Sequence, residues 1–107
     1  MNRGSLTLFN STLSGNTASI SGGALYSDST AFIDEGSIIS DNRAVLGGGL
    51  YNRNGQMSIF DSTISNNQAT KGGGATNNAG DLVIKRSTVS ANSASTYGGG
   101  INNFIGT

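Results

Sequence analysis

The sequence predicts an all-β fold, a right-handed parallel β-helix (β-solenoid) of about four coils of 25–26 residues with three short strands per coil. Three observations predict it. A short phrase recurs four times at nearly constant spacing, apolar and polar residues alternate around each copy, and Gly, Ser, Thr and Asn supply more than half of the 107 residues. Such a composition is also found in disordered chains, and the regular period decides for the solenoid.

The recurring phrase reads NSTLSGN, GSIISDN, DSTISNN and RSTVSAN. Its last residue is always Asn, and the copies follow one another after 26, 25 and 25 residues. In stacked coils equivalent residues lie about 4.8 Å apart, so each Asn amide can donate to one neighbour and accept from the other. We therefore predict a structural ladder at one corner of the coils, formed by Asn16, Asn42, Asn67 and Asn92.

Two further phrases complete each unit. A glycine cluster precedes an apolar residue, as in GGGLYN, and an alternating segment such as QMSIF leads to the next Asn phrase. Alternation with a period of two predicts β-strands, and the glycine clusters disfavour a helix. The inward positions of these strands predict a core of Leu6, Leu8, Leu13, Leu25, Ile39, Leu50, Met57, Ile59, Ile64, Leu82, Ile84, Val89 and Ile101.

The second unit departs from this register. Counting back from Asn42 places Asp34 at a position that is apolar and inward in the other units. A buried, unpaired carboxylate is costly. We expect a slip of one residue, with Ile33 pointing inward and a bulge near Gly36 absorbing the difference. An inward, functional Asp34 is the alternative.

Residues 1–107 are expected to form a single solenoid segment, with coils at about 4–28, 29–54, 55–79 and 80–104. Leucine-rich repeats have a similar period and an Asn ladder, but they need a second leucine-bearing half that GGGLYNRNG does not supply. The right hand follows the usual rule for parallel crossovers. We expect the segment to be a fragment of a longer repeat protein, or to associate end to end through its open solenoid ends.

Composition excludes several function classes. Six Lys and Arg balance six Asp and Glu, which argues against nucleic-acid binding and against a polybasic membrane surface. The chain has no Cys and no His, so we predict no metal site and no cofactor. No apolar run is long enough for membrane insertion by this segment, and no signal peptide lies within it.

The phrase GGGLYNRNGQMSIFDSTISNNQA resembles the GGG-[IL]-Y-N … STISGN-x-A repeats of large bacterial surface and secreted proteins, including those similar to polymorphic outer-membrane-protein repeats. The resemblance covers the whole chain. It implies a pectate-lyase-like right-handed β-helix and an extracellular or cell-surface location, often with an adhesive role. It implies no catalytic residue at any position of this chain.

Catalysis in such a fold would need carboxylates clustered on adjacent coils. The nearest candidate is Glu35 with Asp61, one coil apart, with Lys85 and Arg86 on the next coil. Solvated surface charge is the simpler interpretation, so we predict that the chain is not an enzyme.

Two surface features are candidate binding sites. Tyr26 and Tyr51 share a column and should stack, which offers an aromatic platform or ordinary packing. The outward residues of the recurring phrase form two hydroxyl columns, similar to the face of ice-binding solenoids, although Ile38 interrupts them. The hydroxyl columns contain Thr12, Ser14, Thr63, Ser65, Thr88 and Ser90.

The sequence therefore predicts a structural or binding module of a cell-surface or secreted repeat protein, adhesive or acting as a spacer. Glycans or a host or cell surface are the expected partners. A β-helix that cleaves polysaccharide, as a lyase or hydrolase, is one alternative, and an ice-binding solenoid is the other.

Overall fold

Parallel strands stack along the whole chain. The computed structural model describes residues 1–107, which form thirteen β-strands and no helix. Every strand pair is parallel and joins equivalent strands of adjacent coils. The predicted all-β solenoid of about four coils is confirmed.

Each coil passes through three sheets. Sheet 1 contains β1 (Ser5–Phe9), β4 (Thr30–Asp34), β7 (Gln56–Phe60) and the second part of β10 (Ala75–Lys85). Sheet 2 contains β2 (Thr12–Ser14), β5 (Ile38–Ser40), β8 (Thr63–Ser65) and β11 (Thr88–Ser90). Sheet 3 contains β3 (Leu25–Ser27), β6 (Leu50–Arg53), the first part of β10 and β13 (Ile101–Gly106).

A fourth, shorter ladder was not predicted. It lies between sheets 2 and 3, where β9 (Gln68–Lys71) pairs with β12 (Ser93–Tyr97). Isolated bridges continue it through the first two coils, for example Thr17 with Arg43. The sequence does not alternate clearly here, so pairing with the adjacent coil rather than local pattern creates this ladder.

Inward side chains of the three sheets stack in columns and form the core. The two central coils are fully covered, and Ile39, Ile59 and Ile64 have no exposed surface. Apart from the buried Leu25, core residues of the first and last coils are covered on one side only and remain half-buried. The buried core is Leu25, Ala31, Ile33, Ile39, Leu50, Met57, Ile59, Ile64 and Ala75, with Leu6, Leu8, Leu13, Ala24, Leu82, Ile84, Val89 and Ile101 packed against it.

The second coil is shifted by one residue relative to its Asn phrase. Ile33 is fully buried and pairs with Leu8 and Ile59, while Asp34 pairs with Phe9 on the outer side. The extra residue lies in the turn after the strand and not in a bulge within it. Glu35 and Gly36 in that turn have φ values of 53° and 75°, so a glycine at the second position avoids the strain of a left-handed conformation.

Glycines fill the corner where neighbouring coils come closest. A Cβ atom on Gly48 would lie 2.5 Å from the carbonyl oxygen of Gly73 in the next coil, closer than any real Cβ contact. Gly99 occupies the same column in the last coil, where the nearest atom would be 3.2 Å away. Close approach of coil to coil therefore requires glycine at Gly48.

Candidate functional site

The predicted Asn ladder is a continuous hydrogen-bonded column between sheet 2 and the fourth ladder. The backbone N–H and Nδ2 of Asn42 both donate to Oδ1 of Asn67, each at 3.0 Å. The same two groups of Asn67 donate to Oδ1 of Asn92, each at 2.9 Å. Asn16 donates to Asn42 in the same way, at 2.9 and 3.0 Å. Every bond from one ladder member to another is donated toward the later coil, so the ladder is directional.

The three later ladder amides also hold a strand of the preceding coil. Nδ2 of Asn16, in the first coil, donates instead to the Ser14 carbonyl of its own coil. Nδ2 of Asn67 donates to the Ile39 carbonyl at 2.9 Å, and Nδ2 of Asn92 donates to the Ile64 carbonyl at 2.9 Å. Asn42 and Asn67 are 1% and 0% exposed. A buried amide with every partner in place stabilises one arrangement of the chain, because any other arrangement leaves polar groups unsatisfied.

A second Asn ladder stands at the corner between sheets 3 and 1. Nδ2 of Asn52 donates to Oδ1 of Asn77 at 2.8 Å, and Nδ2 of Asn77 donates to Oδ1 of Asn103 at 2.9 Å. The sequence interpretation missed it. The signal was present, since an Asn stands two residues after the apolar residue of each of the last three glycine phrases.

This second ladder is incomplete at its first coil. Ser27 takes the Asn position there and donates to the Ser29 carbonyl at 3.3 Å. Oδ1 of Asn52, which faces that position, is the only buried side-chain polar atom with no hydrogen-bond partner. Asn52 Oδ1 lacks a partner because the Ser27 hydroxyl has one hydrogen, which it donates to the Ser29 carbonyl.

The predicted tyrosine pair lies on the outer face of sheet 3. The rings of Tyr26 and Tyr51 stack with centroids 5.2 Å apart and an interplanar angle of 20°. Arg53 Nη1 donates to the Tyr26 hydroxyl at 3.2 Å, and this bond raises the pKa of Arg53. Asn78 Nδ2 donates to the Tyr51 hydroxyl at 2.8 Å. Tyr51 is 5% exposed, so very little of its side chain meets solvent.

The predicted hydroxyl columns lie on the outer face of sheet 2. Thr12, Ile38, Thr63 and Thr88 are in register, as are the serines two residues later. None of the six predicted hydroxyl side chains donates or accepts a hydrogen bond within the protein. Ile38 is 40% exposed and interrupts one column.

The charged candidate cluster contains one ion pair. Arg86 Nε and Nη2 donate to Oδ1 and Oδ2 of Asp61 at 2.8 and 2.7 Å. These hydrogen bonds hold the pKa of the Asp61 carboxyl below its usual value and raise the pKa of Arg86. Glu35 lies in an exposed turn and forms no bond to Asp61. A carboxylate held ionised in this way is a poor general acid.

Aromatic residues also line the outer face of sheet 1, which the sequence interpretation missed. Phe32 contacts Phe9 and Phe60 edge to face, with ring centroids 6.3 and 5.2 Å apart. Lys85 Nζ lies 5.8 Å from the Phe60 centroid. The sequence carried a signal for these aromatics, because the last residue of the alternating segments SLTLF and QMSIF points outward and is Phe in both.

The largest surface groove, of about 530 Å³, runs along the axis beside the Asn ladder. Its floor is the column of small residues Ala18, Ala44, Ala69 and Ala94. A smaller cleft of about 130 Å³ lies on the outer face of sheet 3 beside Tyr51. No group of three or more metal-ligating side chains is present, and no helix could cross a membrane.

Comparison with known proteins finds one family model that matches part of the chain. Residues 10–28 and 61–79 match the Chlamydia polymorphic membrane protein repeat. Each matched segment begins at or just before the recurring phrase and includes the following glycine cluster, so the match covers the corner that carries the Asn ladder. The predicted resemblance to polymorphic outer-membrane-protein repeats is confirmed for these two segments. No curated protein and no solved structure matches the chain significantly.

Proposed function

We propose that this chain is a non-catalytic structural and binding module of a cell-surface protein. The two hydrogen-bonded Asn columns carry the proposal. The first joins every coil to the next, and the second joins the last three coils at another corner. A tube joined in this way is a stiff axial element. The match to a membrane-protein repeat supports a surface location.

An adhesive role is supported by the outer faces. The outer faces carry repeated side chains: hydroxyl columns on sheet 2, a cluster of aromatics with Lys85 on sheet 1, and a stacked tyrosine pair on sheet 3, of which Tyr51 is nearly buried. Columns repeated along an axis suit a polymeric ligand, because successive units of the ligand meet successive coils. Glycan chains on a cell surface are ligands of this kind.

A glycan array combined with a lyase and hydrolase assay on acidic polysaccharide tests this function. We expect the purified chain to bind some glycans or whole cells and to leave the length of the polysaccharide unchanged. Depolymerisation would overturn the non-catalytic assignment. Absence of binding to any glycan or cell would overturn the adhesive role.

The hydroxyl columns of sheet 2 favour one second candidate, an ice-binding face. The observation is their register over four coils and the absence of internal partners for the hydroxyls. Thermal hysteresis that Thr63→Lys abolishes and Ser58→Lys, on sheet 1, leaves unchanged would support it. A concentrated solution without ice shaping would exclude it.

A further inference from the structure

We propose that the cleft on the outer face of sheet 3 binds a carboxylate-bearing sugar residue. The inference rests on the proposed binding role of the module and names the ligand class for one site. Tyr51, Lys71 and Phe104 line the cleft, together with the amides of Asn78 and Asn102. Its volume of about 130 Å³ is small beside the roughly 300–1,000 Å³ of pockets that enclose a whole drug-sized ligand. It suits one residue of a polymer.

A strand irregularity shapes the cleft. Asn77 pairs with Asn103, but Asn78 pairs with Ile105, so Phe104 is an extra residue between two paired positions. Such a bulge re-aims a side chain away from the regular pattern. Phe104 is 66% exposed and stands as an apolar wall on the last coil, opposite Tyr51 two coils earlier.

The polar groups of the cleft include several hydrogen-bond donors. The Tyr51 hydroxyl accepts from Asn78 Nδ2 at 2.8 Å, which leaves its own hydrogen free to donate outward. The Thr76 hydroxyl donates to the Lys71 carbonyl at 3.2 Å and fixes the backbone that carries Lys71. The Lys71 ammonium lies 5.4 Å from the centroid of the Tyr97 ring, which is not one of the residues that line the cleft. The contact leaves the ammonium charged, and the flexible lysine stem would have to turn to bring it over the cleft.

Lys71 is the only charged side chain that lines the cleft, and the single salt bridge of the protein lies elsewhere, between Arg86 and Asp61. An ammonium together with hydroxyl and amide donors is complementary to a carboxylate. The aromatic side chains supply an apolar surface for the C–H face of a sugar ring. Both kinds of contact occur together in an acidic sugar.

An acidic peptide fits the site less well. An extended peptide gains most of its affinity by adding a strand to a free sheet edge. The strand beneath the cleft, β10, is paired with β6 on one side and β13 on the other, so no edge is free there. Side-chain contacts alone would have to hold the peptide.

Saturation-transfer NMR and titration calorimetry with oligoglucuronate, and with oligoglucose as the matched neutral probe, test the site. We expect oligoglucuronate to bind and oligoglucose to bind weakly or not at all. Lys71→Gln should weaken oligoglucuronate binding about tenfold, since it removes a charged hydrogen bond. Phe104→Ala should weaken it severalfold, with saturation transfer to aromatic protons of the cleft reduced. Lys85→Gln, which removes a lysine beside Phe60 on sheet 1, should leave it unchanged.

The outcomes separate this inference from the proposed function. Glycan binding that Lys71→Gln does not weaken, or equal affinity for both probes, would overturn the site and leave the adhesive role standing. Binding of oligoglutamate in preference to oligoglucuronate, with the same dependence on Lys71, would replace the sugar by an acidic peptide. Absence of binding to either saccharide overturns the site, and absence of binding to every glycan and cell overturns the adhesive role as well.

Discussion

Asn67→Ala removes the central member of the first Asn ladder and is expected to destabilise the protein strongly. In the native protein, Oδ1 of Asn67 accepts from both the backbone N–H and Nδ2 of Asn42, each at 3.0 Å. Its own Nδ2 donates to Asn92 and to the Ile39 carbonyl. Asn67 and Asn42 are both buried, so water cannot replace these bonds without opening the corner.

The magnitude follows from the groups left without partners. Alanine leaves two buried donors of Asn42 unsatisfied, and each costs about 1–3 kcal/mol. We therefore expect the free energy of unfolding to fall by about 2–6 kcal/mol, a large part of the total stability of a domain of this size. Urea unfolding followed by far-UV circular dichroism and by tyrosine fluorescence measures it, provided the urea dependence of the two variants is the same.

Asn16→Ala is the matched control because it removes the first member of the same ladder. Asn16 donates to Asn42, but its own Oδ1 accepts no bond, and its side chain is exposed. The backbone N–H of Asn16 continues to satisfy Asn42. Nδ2 of Asn16 donates two bonds, to Asn42 and to the Ser14 carbonyl, but at an exposed position where water can replace them in part. We therefore expect a loss of only about 0.5–1.5 kcal/mol. Equal losses for the two variants would refute the directional ladder as the source of stability.

Three further predictions concern single positions. Ser27→Asn should supply the amide donor that Asn52 Oδ1 lacks. The free energy of unfolding should rise by about 1 kcal/mol, measured as a higher urea midpoint. A lower midpoint would mean that the corner has no room for the amide. Gly48→Ala should lower the free energy of unfolding by about 1–3 kcal/mol through overpacking, and Gly99→Ala should lower it by less than half as much in the same assay. Equal losses would contradict the close approach of the coils at Gly48. The lowered pKa of Asp61 means that its contribution to stability is present above the unfolded pKa of about 3.9 and is lost as the pH falls through the folded value. Acid titration of Asp61→Asn should lack this step, and an unchanged acid limb would show that the pair contributes nothing.

Much of the fold could be predicted because every coil of a solenoid uses the same arrangement of strands and corners. The Asn spacing set the length of a coil, and alternation assigned Leu8, Ile59 and Ile84 to one inward column that the structure contains. Even the irregular second coil could be placed, since burying Asp34 would have been costly and Ile33 was adjacent. The fourth ladder could not be placed, because its segments show no period of their own.

The candidate sites were less accessible from sequence. The second Asn ladder required comparison of columns across coils, and the cleft beside Tyr51 depends on a register shift that brings out Phe104. Lys71 and Tyr51 are twenty residues apart in sequence and meet only because the corner between them folds back. Such contacts depend on the backbone conformation of each turn, which the local alternation of apolar and polar residues does not predict.

The sequence by itself determined the architecture of this protein: the period, the inward columns and the ladder that includes Asn67. It could do so because equivalent residues of successive coils stack on one another, so the pattern of one coil predicts the arrangement of the next. Tertiary structure alone decided the consequences of the breaks in the repeat: Asn52 Oδ1 is left without a partner, at a cost in stability, and Phe104 is displaced to the wall of the cleft. Both features arise where adjacent coils differ in sequence. The contacts that result from such a difference depend on how the coils are stacked, which the sequence of one coil does not give.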